Sequence, residues 1–547
     1  MAPGGDSLRT KAVRRARVVL ACLSLVLAGS AVVGAAEFRT PSVSAIRVDW
    51  RAALDQVRSE LSVEPAVASS FTFSPQRRFA AFDARSRPAL VQLNAVTSQM
   101  FRAVARSPVP VLLPFDAAAF LDARLQGARP SLELSRYQAG FRAVDLFEAG
   151  PAGYDAVFSL EPGATDLPRR IFATPIEVQI TGSSLIYDIN DPLGGRGEPV
   201  KALATQYPDL RRFIREGHVR YAFTRFGVPY VVSIQCLDSA PHPQRLACRE
   251  AYPVAEHFIR ALRVCGGSPS RPAPNIQPAL AERAAEPSAI FTYRPSGDIV
   301  INSGFRKQVG HADLTVYSQI RFPLEKAPAF AHSQSFRNFR PRARRLDEPT
   351  NGGPGYPWQD NFCESRSFGV GQCANGFGHQ GQDIRPRSCP QNPVGVGGER
   401  CDPKQHAVVA VRDGIVIRSA RQQALTLQIN TRTEHIRFRY MHMNPFAMDA
   451  SGILNGRSVG EGEIIGVVSN YLDGPNGTSR HLHFDVQVFT PDGWLWVNPY
   501  VTLISAYERL IGGRGREIGP EASPLPTVAN ASPDDVLGNA PRQARQR

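Results

Sequence analysis

No C-x-x-C pair occurs among the 8 cysteines of this sequence. Its absence argues against a zinc ion held by thiolates alone. Internal repeats are missing too, which excludes solenoids and propellers built from stacked copies of one unit. Beyond residues 1–36, no apolar run approaches the roughly 20 residues that a bilayer-spanning helix needs. Residues 37–290 carry no recognisable catalytic constellation. Negative charge is also short: 49 Asp and Glu stand against 63 Lys and Arg, leaving +14. A basic surplus attracts anionic polymers such as nucleic acid, acidic lipid headgroups or cell-wall material, and composition does not choose among them. What is present is ordinary for a globular protein, with 43% hydrophobic and 20% charged residues. A chain of 547 residues has room for two or three folded units.

The first 36 residues narrow the compartment. A basic stretch precedes an apolar run from about Val18, and a small-residue "GAA" site ends at Ala36. This is the layout of a secretory signal, or of an uncleaved single-span anchor, since the run is nearly long enough to cross a bilayer. Cys22 does not fit a lipidation site, because few apolar residues precede it and the run continues beyond. We therefore expect an exported protein, periplasmic or in the cell envelope, with membrane attachment through this segment as an option. Nucleic acid is not an expected partner. Disulfides suit such a compartment. Of the remaining cysteines, short loop closures favour Cys363–Cys373 and Cys389–Cys401, and Cys236–Cys248 could close a third loop, leaving Cys265 odd.

Residues 37–265 read as a mixed α/β region of unknown role. "AIRVDWRAALDQVRSELS" has apolar positions at helical spacing, "PVPVLLPF" and "IEVQI" look like strands, and "RYAFTRFGVPYVVSIQC" reads as two strands about Gly227. "YPVAEHFIRALRVC" reads as a helix ending before Gly266. A Pro-rich linker covers 266–290, a strand-rich bridge and basic linker cover 291–350, and the tail 513–547 is expected to be disordered. Between them, residues 351–512 form a separate domain. From Val408 the pattern is steadily β, which predicts an antiparallel sheet with no long helix.

The chemistry concentrates there. "HQGQD" spans His379 to Asp383, His442 sits in "RYMHMNP", and "HLH" places His481 and His483 two apart. In a strand, residues i and i+2 share a face, so both imidazoles of "HLH" point together. A satisfied pair of polar-face histidines is the plain alternative, and a His and an Asp four apart are common by chance. But six of the 11 histidines fall between His379 and His483, and a cluster of a rare residue wants a cause. A catalytic zinc supplies one: it takes three ligands from His, Asp or Glu and keeps a fourth position for water. Four histidines and an aspartate exceed the ligand requirement, and the surplus can handle protons.

In combination, "HxGxD" at His379–Asp383, "YxHM" ending at His442, "VGEGEIIG" from Val459 and "HLHFDV" from His481 resemble the LytM/lysostaphin-type zinc endopeptidases, which cut peptide bridges in bacterial peptidoglycan. The resemblance spans roughly residues 362–506 and implies one zinc per chain, bound by His379, Asp383 and His483. It implies further that His442 and His481 are the catalytic pair, orienting water, taking its proton and stabilising the oxyanion. Spacing alone does not say which member of "HLH" would bind metal.

The sequence departs from the family in two places. "IRPRSCPQNPVGVGGERCDPKQH" is inserted after Asp383, and we expect its Cys389–Cys401 loop to be disulfide-closed and to border the groove. Arg480 is bulkier than the residue usual before His481. His406 and His435 read as surface or structural. Tyr440, Trp494 and Trp496 are packing residues or substrate contacts, and Asp485 is a candidate partner for the second nitrogen of His483. The expected function is hydrolysis of peptidoglycan peptides. A non-catalytic wall-binding module, or an activator of another wall hydrolase, is the alternative, although such relatives usually lack a ligand. A second alternative makes the N-terminal region the functional binder, of wall glycans or a partner.

Overall fold

The structure, a computed structural model, describes residues 40–61, 89–125, 134–160, 176–189, 191, 197–236, 246–269, 313, 315–326, 329–331, 360–364, 366, 368–373, 376–386, 406–472 and 474–511. The expectations for residues 1–36, for the tail 513–547, for most of both linkers and for the Cys389–Cys401 loop lie outside these residues. No described helix is long and apolar enough to cross a membrane. The architecture is mostly antiparallel sheet with a few helices.

The first half contains β1 (Ser42–Ala45), α1 (Trp50–Leu61), α2 (Ala89–Thr97), β2 (Val111–Leu113), α3 (Ala117–Leu125), β3 (Phe141–Gly150), β4 (Gly153–Leu160), β5 (Ile176–Ser183) and β6 (Leu185–Asp188). There follow β7 (Glu198–Pro199), β8 (Arg211–Arg215), β9 (His218–Arg225), β10 (Val228–Gln235), α4 (Ala251–Arg260) and β11 (Arg263–Gly266). Strands β3 to β5 and β7 to β10 make a seven-stranded antiparallel sheet. Val57 of α1, Leu93 of α2, and Phe258 and Ile259 of α4 share its core with Phe158, Val219 and Tyr230. α4 stops five residues short of the cysteine that the periodicity would have carried it to. Val264 and its neighbours turn to strand instead, because pairing with the buried β2 gives that segment's backbone its hydrogen bonds. Cys236 and Cys248 lie at disulfide-bonding distance, and Cys265 is free and buried.

The second half contains β12 (Ala329–Ala331), β13 (Gln382–Pro386), β14 (Ala407–Val409), β15 (Gly414–Ile417), β16 (Leu425–Asn430), β17 (His435–Met441), α5 (Pro445–Ala450) and β18 (Ser458–Val459). It ends with β19 (Ile464–Val467), β20 (Leu482–Thr490), β21 (Gly493–Val497) and α6 (Tyr500–Ile511). An eight-stranded sheet runs β12-β13-β20-β17-β16-β15-β18, with β21 also paired to β20. Two expectations change. The described part of the bridge has one short strand, β12, and is otherwise irregular chain whose Val316, Tyr317, Ile320, Phe322 and Leu324 are buried in the sheet's core. And a 12-residue helix, α6, closes the region: Tyr500, Leu503, Ile504 and Tyr507 recur at helical spacing and bury against the same core.

A polar seam joins the halves. Asp155 of β4 is buried and accepts from His435 Nε2 at 3.0 Å and from Arg437 at 2.7 Å, both on β17. Asn430 bonds Ala152 and Gly153, and Arg211 pairs with Asp492. His435 is thus a structural residue, as expected, though buried rather than at the surface.

Candidate metal centre

The central strands bring the sequence-predicted residues together by register. β13 pairs antiparallel with β20 so that Asp383 stands opposite His483, while β17 on the other side of β20 places Met441 opposite His483. His442 follows at the end of β17 with φ 71, a left-handed backbone that a non-glycine residue adopts at a cost of order 1–3 kcal/mol. His481 forms an isolated bridge with Ser469 just before β20 begins. The glycine of "HQGQD" is there for space: a Cβ on Gly381 would lie 2.3 Å from the Phe484 carbonyl oxygen, so only glycine lets this segment run flush against β20.

Among the described residues, His379, Asp383 and His483 form a group of buried side chains whose ligand atoms lie within 4.8 Å of one another. Each ring has one nitrogen committed elsewhere. His379 Nδ1 donates to the Asn361 carbonyl at 2.8 Å, and His483 Nε2 donates to Asp485 Oδ2 at 3.1 Å. The other nitrogens, His379 Nε2 and His483 Nδ1, then present lone pairs only 3.0 Å apart, each 3.2 Å from Asp383 Oδ1. Three acceptors turned on one another repel unless a positive charge lies among them. Their spacing is also close to the edge of a tetrahedron with zinc–ligand arms of about 2.0 Å, which is about 3.3 Å. Two imidazoles and one carboxylate are therefore a donor set that fits a divalent ion such as zinc.

The electrostatics agree. Burial pushes the Asp383 carboxyl up, but His379 and His481 beside it hold it well below the usual range. Burial pushes His483 down, yet bonds to Asp383 and Asp485 keep it above the ordinary imidazole value. The site favours positive charge at this spot, and a proton and a metal would compete for it.

His442 and His481 stand beside the three, with ring centroids 4.6 Å apart. His442 Nδ1 donates to the Tyr471 carbonyl and His481 Nδ1 to the Ser479 carbonyl, both at 2.7 Å. Nε2 is then the basic nitrogen of each ring. Burial lowers both rings' affinity for protons, reinforced at His442 by His481 and His483 and opposed at His481 by Asp383.

Several supporting residues escaped the sequence reading. Asp360 and Asn361 form a shelf: Asn361 receives His379 through its carbonyl and the Asp383 N–H through its side chain, while Asp360 binds Gln382 at 2.7 Å and Asn498 at 2.7 Å. Burial pushes Asp360 up to about 7 against those hydrogen bonds. The only advance signal was that a ligating imidazole needs an acceptor for its second nitrogen. Asp485 fills that role for His483 and is itself held by Arg439 Nε at 2.6 Å and Trp496 Nε1 at 3.1 Å. Tyr440 is packing, not a substrate contact: it is buried and its hydroxyl accepts from the Val411 N–H. Trp494 is packing too, stacked under Arg437 at 3.9 Å in the seam. His406 is buried and stands outside the cluster. Cys363 and Cys373, at disulfide-bonding distance, pack with Phe362 and Trp496 close to the site.

No protein-family model matches this chain, and no curated protein matches it. Among solved structures, one match is a crystal structure from Ruminococcus gnavus ATCC 29149 whose protein is named as a glycyl-glycine endopeptidase, LytM. The identity is 20%, the TM-score is 0.17, and the match covers 25% of this chain and 49% of that one. At that score the likeness adds no weight to the geometry above.

Proposed function

We propose that this chain is an exported, multidomain zinc metalloendopeptidase that hydrolyses peptide cross-links of bacterial peptidoglycan. One observation supports this reading above the rest: three lone-pair donors converge on one point, and two further imidazoles with basic Nε2 atoms stand beside them. A structural zinc would need a fourth protein ligand and would have no use for the extra histidines. The order of the motifs, which resembles the LytM/lysostaphin type, supplies the substrate class.

His379 through Nε2, Asp383 through a carboxylate oxygen and His483 through Nδ1 would hold the ion. When bound, zinc makes a water acidic enough to attack near neutral pH and polarises a carbonyl. The protein's own part is positional. Asn361 and Asp485 fix the ligand rings, Gly381 lets Asp383 reach them, and the strained backbone of His442 aims its ring at the same point. His442 and His481, each anchored by Nδ1 to a carbonyl, keep Nε2 ready to accept a proton from the attacking water and return it to the leaving amine. Their burial keeps them unprotonated, and so free to take up a proton, at neutral pH.

The test is to incubate purified protein with peptidoglycan sacculi and identify released fragments by mass spectrometry, with chelator and with zinc restored. Peptide cleavage abolished by chelator and recovered with zinc is the expected result. Binding to sacculi without release would instead identify a non-catalytic wall-binding module.

A further inference from the structure

The β8–β9 hairpin lies in the half of the chain that the motifs leave without a role. Its turn consists of Glu216 and Gly217, with φ 53 and 70, between the paired residues Arg215 and His218. A two-residue turn of this left-handed type favours Asn, Asp or Gly at its first position. Here the position holds a glutamate, and it is 2% exposed, pressed against the other half of the chain. Its Oε1 accepts from the backbone N–H of Trp496 at 3.3 Å and of Gly371 at 3.4 Å, and Oε2 accepts from Arg220 at 2.9 Å. The approach is close: a Cβ on Gly369 would lie 2.9 Å from the Glu216 Cα.

Trp496 carries the contact inward. Its indole N–H donates to Asp485 Oδ1 at 3.1 Å, and Asp485 Oδ2 accepts from His483 Nε2 at 3.1 Å. Three hydrogen bonds therefore lead from the tip of an N-terminal hairpin to a ring of the candidate metal centre. We propose that Glu216 is a positioning residue: it seats Trp496, Trp496 seats Asp485, and Asp485 fixes the orientation in which His483 offers Nδ1. The inference rests on the reading of that centre as a zinc site, and it gives the N-terminal region a task, completing the outer support of the metal. A positioned carboxylate behind a ligating imidazole raises its basicity and holds its tautomer, so loosening it weakens the metal.

The test uses the full-length chain. Zinc affinity is measured by competition with a chromogenic chelator, the visible spectrum is taken after loading with cobalt(II), and thermal melting reports folding. Trp496→Phe keeps an aromatic ring but removes the indole N–H, and Glu216→Ala removes the acceptor. Each is expected to weaken zinc about 10–100-fold and to shift the cobalt spectrum. The double variant should lose little more than either alone, because both cut one path. Glu216→Gln, which keeps an acceptor oxygen, should restore most of the affinity. A purely structural role would lower the melting temperature and leave affinity and spectrum unchanged. Wild-type zinc affinity in a folded Trp496→Phe variant overturns the proposal, whether or not Glu216→Ala folds. A wild-type chain that takes up no zinc overturns the zinc reading, and this inference with it.

Discussion

Asp155 is the residue whose loss should most weaken the seam between the two halves. Its carboxylate accepts from Thr181 at 2.5 Å, Arg437 at 2.7 Å, His435 at 3.0 Å and Gln179 at 3.2 Å, and also from Gln428. Asp155→Ala leaves the Arg437 guanidinium buried beside Gln428, the face of Trp494 and the largely protonated Glu148. Removing one partner of a buried ion pair costs about 3–5 kcal/mol, because the surviving charge is uncompensated. Part of that loss is offset nearby. Glu148 is pushed up to about 8, first by burial and then by the charge of Asp155, so it ionises more readily once that charge is gone. The expected cost is therefore about 3 kcal/mol rather than 5. Burial pushes the Asp155 carboxyl up, but Arg437 and His435 hold it below the ordinary range. Its contribution is thus complete above the unfolded value of about 3.9 and disappears as pH falls through the depressed folded value. Urea denaturation at pH 7, followed by tryptophan fluorescence, measures the loss. A change within the ±0.5 kcal/mol of an ordinary surface substitution would refute the account of the seam.

Glu148 also predicts a pH dependence. Its folded value of about 8 lies above the ordinary 4.5, so across that window the native state holds a proton that the unfolded state has released. Stability should decline as pH rises through the window, and Glu148→Gln should flatten the slope; an unchanged slope in a series of urea midpoints would count against it. Gly381→Ala should force β13 away from β20, costing about 1–3 kcal/mol and most of the bound zinc, and a normal zinc content by elemental analysis would show that the close approach does not matter. His442→Ala and His481→Ala should each retain zinc while slowing release from sacculi by ~10²–10⁴-fold. Cleavage at the wild-type rate by either variant removes that residue from the mechanism.

By itself, the sequence determined what could be written in local periods and rare residue types. The strands after Val408, the hairpin about Gly227 and the spacing of "HLH" follow from period-two alternation and turn chemistry, and the clustering of histidines marked where the chemistry would lie. Even the glycine of "HQGQD" was visible, though not its reason, since the Phe484 carbonyl that excludes a side chain is 103 residues away. Tertiary structure decided everything that depends on register and on contacts between distant segments. It ended α4 at Arg260 because β2 offered a partner, and it buried the described residues 315–326 of the bridge against the second sheet. It also chose packing over substrate contact for Tyr440 by placing the Val411 N–H at its hydroxyl. The same holds for the supports of the metal centre. Asp485, two residues beyond His483 on the same strand, was legible in advance, but Asn361 and Trp496 matter because the fold sets them behind His379 and Asp485, and Glu216 because a hairpin from the other half of the chain reaches Trp496. No local pattern encodes such meetings, since each depends on two segments being brought together by the packing of the whole chain.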